Sequence, residues 1–231
     1  MSSLLNKYNE MSTEQQASLG KGGSKINTAG SHLVTIDSFT VIDESRVKVE
    51  FKNASGQTTE YVGFLTNKDP SKVEATVNRV MGILARLCTA AGTELKKVLS
   101  KSVAGTLEFK SGTVPTEQYP SIKGKKLYII TSTIVEGDDK DANKAWVKQE
   151  LDTRHFFDVK ERSGLEISSD VDEGTTMQAI ADDAKTQFEI HYKWTASKVC
   201  QTKLAQLQGA TATNTAAGDT TEIADEDIWV H

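Results

Sequence analysis

The chain has 231 residues, 37% apolar and 26% charged, and no apolar run approaches the ~18 residues that a membrane span requires. Its formal net charge of −5 is confined to residues 209–231, which carry Asp219, Glu222, Asp225, Glu226 and Asp227 and neither Lys nor Arg, so residues 1–208 balance to zero. Two isolated cysteines, Cys88 and Cys200, without C-x-x-C spacing exclude a disulfide framework and a zinc finger. No basic leader with an apolar core opens the chain, and the expectation is a protein of the reducing cytoplasm, away from membranes.

Residues 1–30 are rich in Ser, Gly, Asn and Gln and read as a flexible N-terminal arm. Within them, Gly20-Lys21-Gly22-Gly23-Ser24-Lys25 fails as a phosphate loop, because no apolar strand precedes the glycines and the spacing is wrong. Three extended runs follow at 32–43, 46–52 and 58–66. In the second, Val47, Val49 and Phe51 face one way and Arg46, Lys48, Glu50 and Lys52 the other. Asn53-Ala54-Ser55-Gly56 supplies the turn residues that make the second and third runs a hairpin. Asp69 as N-cap, Pro70, Glu74 and the stripe Val73, Val77, Val80, Met81, Leu84, Leu87 predict a helix over 69–91, with Gly92 past its end.

A short helical piece at 93–102, a short strand at 103–110 and a loop holding Pro115, Tyr119 and Pro120 come next. Lys123-Gly124-Lys125-Lys126 then enters a strong strand over 127–136, and a charged connection leads to a last strand over 145–159. On that strand Val147, Leu151 and Phe157 share one face, and Trp146, Lys148, Arg154 and Phe156 the other. Residues 31–159 thus read β-β-β-α-β-β within a mainly β chain with helices, the order of a five-stranded OB-fold barrel. Residues 160–208 read as a helical extension with one long helix over 175–207, although Phe188, Ile190, Tyr192 and Trp194 alternate as a strand would. Residues 209–231 read as an acidic disordered tail unable to bury a core.

Single-strand binders combine a positive groove for phosphates with aromatic platforms for bases, each stack being worth ~1–3 kcal/mol. The cations that these strand faces and the loop before the fourth offer are Arg46, Lys48, Lys123, Lys125, Lys126, Lys148 and Arg154; the rings are Tyr61, Tyr128, Trp146 and Phe156. For any one lysine, the solvated side of a half-exposed sheet explains the charge equally well. Trp146 stands apart, because a tryptophan on a polar strand face is costly to leave in water without a use. In the tail, Asp225, Glu226 and Asp227 precede Ile228 and Trp229, the pattern of a short peptide ligand with apolar anchors and acidic steering.

The stretch from Lys25-Ile26-Asn27 through Val34-Thr35-Ile36, the β-β-β-α-β-β order and the Asp225-Glu226-Asp227-Ile228-Trp229 ending together resemble the single-stranded DNA-binding proteins of bacteriophages. That resemblance implies an OB-fold core coating single-stranded DNA in replication and recombination, and a tail that recruits replication or recombination proteins. Bacterial relatives end in an acidic run followed by Ile-Pro-Phe, whereas this chain ends Ile228-Trp229-Val230-His231. No cofactor is implied, and homo-oligomerisation is left open. The four histidines, His32, His155, His191 and His231, are scattered, and Asp138, Asp139 and Asp141 lack the Gly and terminal Glu of a calcium loop. With no nucleophile elbow either, neither a metal site nor catalysis is expected. The rival reading, favoured by the neutral body, is a virion or scaffold component that does not bind nucleic acid.

Overall fold

Runs in which Val, Ile, Leu and Phe alternate with polar residues build the molecule. The computed structural model describes residues 25–109 and 112–216. In chain order the strands are β1 (Gly30–Ile42), β2 (Arg46–Asn53), β3 (Thr58–Phe64), β4 (Val103–Phe109), β5 (Gly112–Gln118), β6 (Lys126–Gly137), β7 (Ala145–Phe157) and β8 (Phe188–Ile190). The helices are α1 (Val73–Ala90), α2 (Leu95–Leu99), α3 (Gly164–Ser168), α4 (Met177–Thr186) and α5 (Lys198–Ala216). The architecture is mainly β, an open and mainly antiparallel eight-stranded sheet, with β8 running parallel to its neighbour, β6. Among the described residues no ladder joins β3 to β7, the pairing that would close the expected barrel.

β1 organises the ladders. One edge pairs with β2 along most of its length. The other edge pairs first with β6, from Gly30 to Thr35, and then with β5, from Thr40 to Ile42. The register against β2 shifts between Ile36 and Ser38, so Asp37 is the extra residue of a bulge at the change of partner. The bulge also inverts the strand's parity: Val34 and Ile36 are buried before it, Phe39 after it. An uninterrupted alternation does not foresee that inversion.

The Asp69 carboxylate caps the start of the helical segment by accepting from Ser71 N–H, and a 3-10 turn (Pro70–Lys72) leads into α1. α1 buries Val80, Ile83, Leu84, Leu87 and Cys88 against Val34, Ile36, Val47, Val49 and Phe51 of β1 and β2. Val73 and Val77 are half-buried and Met81 is exposed, so the dry stripe lies further along the helix than the periodicity predicts. Gly92 adopts φ 67°, the left-handed conformation of a helix terminator. Burial pushes the Cys88 thiol up to about 11, so it is a protonated core side chain.

Three expectations need correction. Residues 112–118 form β5 and not a loop; Pro115 pairs across the hairpin with Thr106 of β4, beyond the reach of the β1 ladder, where a missing N–H is tolerated. Residues 175–207 are not one helix: α4 ends at Thr186, β8 pairs with Thr133–Val135 of β6, a 3-10 turn (Tyr192–Trp194) follows, and α5 begins at Lys198. α5 continues to Ala216, so residues 209–216 are helical and not part of a disordered tail; Asp225–Trp229 and the arm before Lys25 lie outside the described residues. The chain divides into two compact units, one within Met1–Ser132 and Gln149–Ala184, the other within Thr133–Lys148 and Lys185–His231. In the second unit, Gly137 leaves room for the Trp194 ring and the Cys200 thiol, which a Cβ there would strike.

In the first unit the chain after β7 is tied by two carboxylates. Asp158 accepts from Arg162 Nε at 2.8 Å and from the N–H groups of Lys160 and Arg162. Glu166 completes a capping box with Ser163 and also accepts from Thr175 N–H at 2.8 Å. The N–H donors of Ser163 and Thr175 hold its carboxyl down, at about 2. A depressed folded-state value means that this stabilisation is complete above the ordinary value of 4.5 and is lost as pH falls toward 2. Glu166→Ala should lower stability by about 1–2 kcal/mol at neutral pH and flatten the loss between pH 4.5 and 2, as read by thermal melts followed by circular dichroism.

Candidate nucleic-acid interface

Cross-strand partners in an antiparallel sheet point to the same face, so the registers define the surface opposite the α1 core. From one end to the other, four rows cross this outer face of the first unit. The first is Phe64–Arg46–Ile42–Thr116, the second Val62–Lys48–Thr40–Gln118–Val103, and the third Glu60–Glu50–Ser38. The fourth is Thr58–Lys52–Thr35–Lys126. Thr40, Ile42 and Thr116 on the middle strands are buried, whereas Phe64 (58%), Val62 and Val103 on the flanking strands stand exposed. The first two rows are therefore a trough with apolar rims.

The fourth row is the basic end. Lys25 forms a bridge to Thr58, and Ile26 next to it donates its N–H to Thr58 O at 3.0 Å while its side chain enters the core. Lys25 therefore shares the outer face, giving the succession Lys25, Thr58, Lys52, Thr35, Lys126, each lysine about 10 Å from the next across two strand spacings. The Asn53–Gln57 turn anchors the Lys52 end: Asn53 Oδ1 accepts Gln57 N–H at 2.8 Å and Gly56 takes φ 84°. On the other side the loop carrying Lys123 and Lys125 docks on the β1 bulge, with Gly124 N–H donating to Ile36 O and Ile36 N–H to Lys125 O, each at 2.9 Å. Among the described residues, none of Lys25, Lys52, Lys123, Lys125 and Lys126 lies within ion-pair distance of a carboxylate. Asp37 in the bulge is the exposed carboxylate nearest in sequence to Thr35.

The other expected cations differ. Lys48 sits between Glu50 and Glu60 at 2.8 and 3.0 Å, Lys148 bonds Glu136 at 2.9 Å, and Arg154 grips Asp152 through Nε and Nη2 at 2.9 and 2.8 Å. Burial alone would lower the Lys48 ammonium, but the bonds from Glu50 and Glu60 raise it; its charge is fixed and spent inside the sheet. Arg46 lies on the outer face opposite Phe64. These four are thus separated from the lysine row by charge or by position.

Two expected base platforms are overturned by burial. Tyr61 (7% exposed) and Phe156 both pack in the α1 core, leaving neither ring face open. Tyr61 has the parity of Val49 and not of Lys48. In β7 Leu151 and Phe156 reach the same core despite opposite parity, and between them, within the strand, Asp152 Oδ1 accepts Arg154 N–H. Tyr128 is half-buried against a second cluster formed by Ile130, Phe157, Met177 and Ala181. Trp146 is exposed, in the second unit, with its indole N–H donated to Glu136.

Sequence reasoning missed Phe64, Lys52 and Lys25 as site residues. Lys52 was legible from its alternation with Arg46 and Lys48, and Phe64 from the same count along β3; Lys25 precedes the first strand and carried no such signal. A cavity of about 500 Å³ lined by Val159, Lys160, Glu161, Asp172, Glu173 and Gly174 lies elsewhere, with three carboxylates against one ammonium, a poor match for a polyanion. Among the described residues no group of three or more His, Cys, Asp or Glu is placed to hold a metal, and no helix is long and apolar enough to cross a membrane. In comparisons with known proteins, no family model and no curated protein matches the chain. The parity assignment predicts that Tyr61→Ala and Phe156→Ala each cost about 3–5 kcal/mol, whereas Phe64→Ala stays within about 0.5 kcal/mol of the parent in denaturant melts.

Proposed function

We propose that the chain binds single-stranded nucleic acid, in keeping with the resemblance to phage single-stranded DNA-binding proteins, with an OB-type core formed by β1, β2, β3, α1, β6 and β7. The observation that carries this reading is the lysine row: Lys25, Lys52 and Lys126, interleaved with the hydroxyls of Thr58 and Thr35 and flanked by Lys123 and Lys125, on a neutral body. Protein cations without an internal counter-ion release counterions from a polyanion on contact, and ammonium groups alternating with hydroxyls fit a phosphodiester backbone. Phe64 and the trough, about 20 Å along β2 from the row, supply an exposed ring for a base. The acidic residues Asp225, Glu226 and Asp227 with Ile228 and Trp229 serve as the segment that engages partner proteins of replication or recombination.

The rival structural role draws on the internal compensation of Lys48, Lys148 and Arg154 by Glu50, Glu136 and Asp152. Fluorescence anisotropy of a labelled oligo(dT) across a salt series separates the two. Binding should weaken log-linearly with salt, with duplex DNA a poor competitor. Replacing Lys25, Lys52 and Lys126 together by Gln should make the slope shallower by roughly 2, since each phosphate neutralised on a single strand contributes about 0.7. Absence of binding at low salt moves the structural role to first place. Removing residues 219–231 should leave oligonucleotide binding intact while abolishing capture of a host replication protein; retained capture contradicts the role given to the tail.

A further inference from the structure

In the second unit β6, β7 and the turn after β8 bring a ring and a carboxylate together. Glu136 accepts the indole N–H of Trp146 and the ammonium of Lys148, the latter at 2.9 Å. Partial burial would raise the Glu136 carboxyl, but the bond and the charge of Lys148, with the Trp146 bond beside them, outweigh it and hold it below the ordinary carboxylate range. At neutral pH it is therefore an ionised, acceptor-only group. A carboxylate has about four lone-pair sites, and Trp146 and Lys148 fill two. Trp146, whose indole N–H bears on the Glu136 carboxylate, remains 44% exposed. Filling space is the role of another tryptophan: Trp194 lies against Gly137 and Cys200. Beside Glu136, His191 carries the Tyr192 ring at a centroid distance of 4.4 Å, and Tyr192 is 83% exposed.

We infer that Trp146 and Glu136 form a base-reading site, in which Trp146 stacks an unpaired base and Glu136 accepts the donors on that base's Watson–Crick edge, selecting guanine. The inference rests on the single-strand reading and adds a base preference to it. Guanine presents N1–H and the N2 amino group side by side, matching the two oxygens of a carboxylate. Cytosine and adenine place a ring-nitrogen acceptor beside their amino group, and thymine flanks its one N–H with two carbonyls, so each sets a lone pair against the carboxylate. An exposed ring beside a carboxylate also suits a cationic side chain. Here Lys148 already compensates Glu136, which removes the field that would draw a cation and leaves directional acceptance as the chemistry on offer.

The test uses the full chain and three labelled oligonucleotides of equal length: all thymine, thymine with interspersed guanine, and the same with hypoxanthine in place of guanine, which keeps N1–H and lacks the amino group. Guanine should tighten binding about tenfold over all-thymine, as one bidentate contact does, with hypoxanthine in between. In Glu136→Gln the guanine-to-thymine ratio should fall to near one, because the amide has a single acceptor oxygen. Trp146→Ala should weaken the guanine oligonucleotide about tenfold, the loss of one stack, without changing the salt slope, and should melt like the parent. Equal affinity of the parent protein for all three overturns the base preference and leaves the single-strand reading standing; no binding to any at low salt overturns both. Equal affinities together with capture of a lysine-rich peptide, lost in Trp146→Ala, would reassign the site to a cationic peptide.

Discussion

A strand that serves two partners on one edge has to change direction between them, and in this molecule β1 does so at a single extra residue. Asp37 marks the point where the β6 ladder has ended and the β5 ladder has not begun. Because the side-chain period of a strand is two, the same residue inverts which side chains face the core, so that Val34 and Ile36 hand over to Phe39. The outer face inherits that division. On one side of the bulge lie Thr35 and the lysines aligned with it; on the other lie Thr40 and Ile42, the floor of the trough. The loop bearing Lys123 and Lys125 is fastened to β1 by main-chain bonds at Ile36, beside the bulge.

Charge is distributed on this face by pairing more than by composition. The body is neutral, and several of its cations are spent internally: Lys48 on two carboxylates, Lys148 on Glu136, Arg154 on Asp152. Exposed pairs of this kind add little stability, but each removes a positive charge from the far field. Lys25, Lys52 and Lys126, which have no carboxylate within ion-pair distance among the described residues, are aligned at one end of the outer face. A net charge near zero is thus compatible with a polyanion site, provided that the compensation is uneven.

Much of the fold was legible in the chain. The Asn53–Gly56 turn, the Asp69 cap, β6 and the start of β7 follow from local chemistry that tertiary contacts did not override. The errors have separate physical origins, and a parity count fails only where a strand is irregular, as in β7. Tyr61 entered the expected site because it is aromatic, yet Val49 and Tyr61 face inward together and Phe64 faces outward. Phe156 was lost to the core because β7 changes phase after Leu151. β5 was hidden by Pro115 and its threonines, whose strand role depends on β4 and β1, partners distant in sequence or unreadable locally. The alternation of Phe188 and Ile190 was the correct signal in a stretch whose helical periodicity competed with it, and β6 decided the outcome. No local signal announced Lys25, whose place is fixed by one bridge to Thr58.

The measurement that bears most directly on the lysine row is acetylation footprinting with and without oligo(dT), read lysine by lysine by mass spectrometry. Lys25, Lys52 and Lys126, with Lys123 and Lys125 beside them, should lose reactivity when the oligonucleotide is bound. Lys72 and Lys97, which are exposed and ion-paired on 3-10 and α-helical segments, should react as before. Protection spread evenly over the lysines, or concentrated at Lys72 and Lys97 while the row stays reactive, would overturn the placement of the nucleic-acid interface on the outer face.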